Sequence, residues 1–207
     1  APAAQRARGL AHHSNSTNAS AATEAERIVT AKVVQFGRKR RELVRKIAAR
    51  LNKEVPIEVE RFFDAVESGR WEEIDTEWRE LAKHSGQYDW SKEHWEDLNP
   101  FWPAVLDAYG VAEQAHDWPA QQLLDYGNAV LDSLRPGMIY VGGTDNGRWV
   151  PELLNDTSDG EHHVIVTQNA LADGTYLSYI RAHYNRSAQK DPPFFQELAR
   201  SQKERED

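Results

Sequence analysis

The sequence predicts a helix-rich α/β fold, an N-terminal helical region packed on a small parallel α/β core. Three observations carry this. Met138–Val141 and Val164–Thr167 are short apolar, mostly β-branched runs, each followed by a polar turn and then by helical spacing. That is the β-loop-α-β-loop-α order of a parallel unit. Before it, residues 23–134 repeat apolar side chains at helical spacing, punctuated by Gly and Pro. Finally, 40% hydrophobic content with seven Trp in 207 residues supports one core but leaves much of the chain as surface or extension.

Taken in order, residues 1–22 hold almost no large apolar side chain and read as a disordered or extended tail. Thr23 with Glu26 forms a capping box that should start a basic amphipathic helix within 23–54, with Ile28, Val33, Phe36, Val44 and Ile47 on its apolar side. Residues 55–134 follow as a helical region. Pro56 opens a helix to Ser68 that Gly69 closes, and Trp71, Ile74, Trp78 and Leu81 mark the next. Pro103 should open a helix ending at Gly110, and Pro119 one running through Leu134. The small α/β unit spans 135–200. It comprises the first strand, the Gly142–Gly147 loop, a helix over Arg148–Asn155, the second strand, a Gln168-Asn169 turn and a helix over Asp173–Tyr184. Phe194–Arg200 is a short helical run needing a docking surface, and 201–207 should fray.

The net charge of −8 is unevenly spread: up to Lys53 there are 12 Lys/Arg against 3 Asp/Glu, and beyond it 13 against 30. The basic face comprises Arg38, Lys39, Arg40, Arg41, Arg45 and Lys46. It suits a protein partner or an anionic membrane surface, or is simply a solvated face. No aromatics interleave with it and the rest of the chain is acidic, so nucleic acid is the weakest candidate. No apolar run approaches the ~20 residues of a membrane span. There is no Cys, which excludes disulfides and thiolate chemistry.

The PGxIYxGGTDxGRWVPELL and TQNALADGTYL patterns, as they stand between Pro136 and Leu177, resemble uncharacterised exported bacterial proteins. They are also distantly similar to the soluble domain of bacterial membrane proteins related to protein O-mannosyltransferases. The resemblance covers about a quarter of the chain, and the membrane region where that family would transfer a sugar has no counterpart in these residues. It implies an extracytoplasmic setting, periplasmic or membrane-peripheral, which the Ala-Pro-Ala-Ala start would also suit.

Ligands of parallel sheets lie beyond the carboxyl ends of the strands. The candidates there are Gly142, Gly143, Thr144, Asp145, Asn146 and Arg148 after the first strand, and Thr167, Gln168, Asn169 and Asp173 after the second. Such side chains can hold hydroxyls, amides or a hard cation through oxygen, and Gly142, Gly143 and Gly147 would let backbone N–H groups approach an anion, but the loop matches neither the P-loop nor the dinucleotide fingerprint. Asp145 could equally cap the next helix. The eight His show no metal-ligand spacing, so no metal and no cofactor is expected, and no catalytic residue stands out. Tyr88, Trp90, Trp95, Trp102, Tyr109 and Trp118 read as core aromatics, or as a sugar-stacking or partner surface. Two functions follow. The first is a non-enzymatic accessory or binding subunit of a larger assembly, held through the N-terminal tail, the basic helix and the C-terminal tail. The alternative is a carbohydrate- or nucleotide-related enzyme or ligand-binding domain using the two loops.

Overall fold

In the computed structural model, residues 2–88, 93–143, 145–160 and 162–184 are described, with side chains from Glu24 onward except those of Asp145 and Asn146. Seven α-helices among these residues surround a two-stranded parallel sheet, a helix-rich α/β fold. The longest helix, α1, covers Pro2–Leu51. The backbone of 2–22 is therefore helical rather than extended, and the capping box at Thr23 lies inside the helix instead of starting it. Ala is frequent there and has the best helix propensity of any residue.

Helix α2 (Ile57–Ser68) starts after Pro56 and ends at Gly69, whose φ of 71° closes the helix in the left-handed region. Helix α3 (Trp71–Ala82) follows, then a 3-10 turn at Glu96–Leu98. Helix α4 runs Trp102–Asp117 and passes straight through Gly110. The expected stop fails for a packing reason. A Cβ on Gly110 would overlap the Trp149 indole, so this glycine is a notch for a neighbouring ring. Helix α5 is Ala120–Asp132 with Pro119 as its N-cap, close to expectation. Here Gly127 lets Leu154 approach, since a Cβ would lie 2.5 Å from its Cδ1.

Strand β1 (Ile139–Gly142) pairs in parallel with β2 (Val164–Thr167), Ile139 opposite Val164 and Gly142 opposite Thr167. Helix α6 (Asp145–Asp156) crosses between them and α7 (Gly174–Tyr184) follows. Pro151 inside α6 has no N–H to give to the Gly147 carbonyl. That carbonyl instead accepts from the Tyr140 hydroxyl at 3.2 Å and the Tyr126 hydroxyl at 3.5 Å. The outer edge of β2 is satisfied by side chains of α7. Tyr184 Oη accepts from Ile165 N at 3.0 Å and donates to Ile165 O at 3.2 Å, and Tyr176 Oη accepts from Thr167 N at 3.0 Å. Two tyrosines thus do for β2 what a third strand would.

One hydrophobic core joins all of this, from Val33, Phe36 and Val44 of α1 through Phe62, Phe63, Phe101 and Val105 to Trp149, Val166 and Ile180. Among the described residues no helix is long and apolar enough to cross a membrane.

Candidate functional site

A buried charge network, rather than a solvent-facing loop, holds most of the ionic chemistry. Helix α6 carries Arg148, Glu152 and Asp156 four residues apart, hence on one face. Asp107 faces them from α4, Arg40 from α1, and Tyr179 and His183 from α7. Arg40 Nη2 donates to Glu152 Oε1 at 2.7 Å and to Asp156 Oδ2 at 2.6 Å. Arg148 donates to Glu152 Oε2, and at 2.5 Å to Asp107 Oδ1. The Tyr179 hydroxyl donates to Asp107 Oδ2 at 2.5 Å, and His183 Nε2 lies 3.0 Å from Asp156 Oδ2. Arg40, Arg148, Asp107, Glu152 and Asp156 are each at most 2% exposed. The Phe36 ring, 4.0 Å from the Arg40 guanidinium carbon, covers its face.

Three carboxylates, two guanidinium groups and the His183 imidazole meet here, so the network holds a proton on one of its titratable groups when its charges balance. Burial, then the charge of Asp107, pushes Glu152 up to about 8, against the pull of Arg148 and Arg40. Burial would raise Asp156 too, but His183 and Arg40 outweigh it and hold it far below the carboxylate range. Asp107 is lowered in the same way, by Arg148 and Arg40 against burial. His183 is pushed down by burial and by Arg40, against the pull of Asp156.

Glu152, Asp156 and His183 bring one ligand atom each within 4.8 Å of one another, a spacing that would suit a divalent cation. The guanidinium of Arg40 already bridges both carboxylates, however. A metal ion there would meet a fixed positive charge, so the cluster is a guanidinium site.

This placement changes two expectations. Arg40 and Arg148 are buried and pair with carboxylates inside the network, so neither side chain stands on an outer face or an open loop. Three more arginines of the basic face are paired with carboxylates. Arg41 contacts Glu60, Asp64 and Glu67, Arg45 contacts Glu60 and Arg38 contacts Glu67, while Lys39 donates to the Asp156 carbonyl. Lys46 stands exposed.

Among the described strand-end residues, Gly142 and Thr167 lie opposite one another in the sheet. Gly142 and Thr167 are buried, while Gly143, Gln168 and Asn169 are exposed. Asp173 caps α7, accepting from Thr175 N at 2.7 Å and Tyr176 N at 3.3 Å. Thr144 and the side chains of Asp145 and Asn146 fall outside the described residues, as do Trp90 and the C-terminal segment with Phe194, Phe195 and Leu198. The described aromatics mostly pack together: Trp78 stacks on Tyr109 with centroids 3.9 Å apart, and Trp102 Nε1 donates to Gln87 Oε1 at 2.6 Å.

Asp173 does open onto a recess of about 470 Å³, walled by Ile47, Arg50 and Leu51 of α1, by Asn99 and Pro100, and by the start of α7. A second recess of about 610 Å³ continues along the same two segments, from Lys53–Ile57 to Trp95–Leu98. On this face Leu51 is 47% and Ile57 65% exposed. No family model, curated protein or solved structure matches the chain.

The sequence reading missed Asp107, Glu152, Asp156, Tyr179 and His183 as a unit. Two signals for it stand in the sequence. One is the Arg-x3-Glu-x3-Asp stripe from 148 to 156, and the other is a lone Asp107 inside the apolar helix WPAVLDAYGVA.

Proposed function

We propose that this protein is a non-enzymatic accessory or binding subunit of a larger extracytoplasmic assembly. Its partner docks on the face formed by the C-terminal end of α1, the 52–57 connection, the 95–100 segment and the start of α7. One observation carries this reading: Leu51 and Ile57, two of the most exposed large apolar side chains described, flank two adjoining recesses. Apolar anchors beside concave surface with an Arg and a Trp nearby are the composition of an interface centre. The extracytoplasmic setting rests on the sequence resemblance alone.

The test is a photo-crosslinking amino acid at position 57 in the native host, with position 76 on α3 as control. A single discrete heavier adduct is expected from position 57 and none from 76. Equal labelling at both positions, or none at 57, would refute the docking face. An adduct of twice the chain mass would make the occupant a second copy and overturn the accessory reading.

A further inference from the structure

A recess of about 500 Å³ lies between α1, α5 and the C-terminal end of α6, away from the proposed docking face. Its walls include Ile28, Leu131 and Leu154, and its polar groups include Lys32, Asn128 and His163. A recess of this volume, with apolar and polar side chains sharing its wall, has room for a small molecule.

Lys32 is the anomaly. Its side chain is half-buried, yet its ammonium makes only two long bonds to neutral oxygens, 3.2 Å to Thr157 Oγ1 and 3.4 Å to Thr157 O. No carboxylate among the described residues lies within ion-pair contact of it, although Arg38, Arg41 and Arg45 on the same helix each have one. Asp159 acts on Lys32 only at longer range, and burial lowers the affinity of its amine for the proton. A partly desolvated cation with a spare donor, lining an open recess, is suited to pair with an anion. Asp132 also lines the recess, and its charge disfavours multiply charged anions.

We propose that this recess binds a small monocarboxylate bearing an apolar chain. The carboxylate pairs with Lys32 and accepts from Asn128, and the chain lies against Ile28, Leu131 and Leu154. The site is independent of the docking reading, since it uses different residues on a different part of the molecule.

Isothermal titration of the full chain with sodium hexanoate tests it, with hexan-1-ol as the uncharged analogue and sodium phosphate as the multivalent anion. Hexanoate should bind saturably, hexanol should be at least about tenfold weaker (about 1.4 kcal/mol), and phosphate should give no specific heat. Lys32→Met keeps the stem and removes the charge, so it should also weaken hexanoate about tenfold or more. Leu131→Trp, which fills the recess and leaves Lys32 intact, should abolish binding and serves if the Lys32 variant does not fold. Equal affinity for hexanoate and hexanol, binding unchanged by Leu131→Trp, or no saturable hexanoate binding at all would overturn the proposal.

Discussion

Arg40 shows what a single residue can decide in this protein. Its guanidinium sits between Glu152 and Asp156 with no solvent exposure, so removing it leaves the buried Asp156 carboxylate short of a counter-charge and Glu152 short of a donor. Breaking a buried pair from one side costs about 3–5 kcal/mol. Arg40→Leu should therefore lower unfolding stability by about that amount in urea denaturation. Glu152 sets a different dependence. Its folded value, about 8, lies above the ordinary carboxylate value, so the native state holds a proton that the unfolded chain releases. Its contribution is full below the unfolded value and is lost as pH rises towards 8, at up to about 1.4 kcal/mol per pH unit. His183 and Asp156, both lowered, act oppositely and lose stability as pH falls. Glu152→Gln stays neutral at every pH. Urea midpoints of the parent should fall from pH 5 to pH 8, and those of the Gln variant should not. Parallel curves would place the held proton elsewhere in the network.

At the scale of elements, the boundaries that local chemistry controls were legible in the sequence. Gly69, Pro56 and Pro119 end or open helices where expected, and both strands and their parallel order follow from β-branched runs separated by a helical stretch. What was not legible depends on partners distant in sequence. Gly110 reads as a helix stop, but its role is set by Trp149, 39 residues later. Gly110→Ala should thus destabilise by about 1–3 kcal/mol through overpacking, against the ~1 kcal/mol an Ala gains in a helix. Combining it with Trp149→Leu should recover part of the loss in a double-mutant cycle, and simple additivity would refute the notch. The edge of β2 is a second such case. Nothing local to VIVT indicates that Tyr184 serves its backbone. Tyr184→Phe leaves the Ile165 N–H and carbonyl without that partner and should cost about 1–3 kcal/mol in the same assay. A cost near zero would mean that another group takes them over.

For the molecule as a whole, the buried network argues against treating the α/β unit as separable from the helices before it. Arg40 and Glu152 are 112 residues apart in sequence and Asp107 and Tyr179 are 72 apart, and the two pairs meet in one buried cluster. The candidate loops after the strands were visible in the sequence because turn residues are local; the network was not, because its charges are scattered over α1, α4, α6 and α7, and the 148–156 stripe and the lone Asp107 mark its parts without showing that they meet. A chain ended after Leu134 would keep Arg40 and Asp107 but lose Arg148, Glu152, Asp156 and Tyr179. Of the network's ion pairs it would keep the long Arg40–Asp107 contact of 3.9 Å, in a core that also lacks Trp149 and Ile180. Parts that share one buried core and one charge network unfold together in one cooperative step. We expect Trp fluorescence and far-ultraviolet circular dichroism to give coincident urea transitions for the intact chain, and the 1–134 fragment to show no cooperative transition. If the fragment unfolds cooperatively, or the two probes of the intact chain separate, the helices form a core of their own and the network only fastens a second unit onto it.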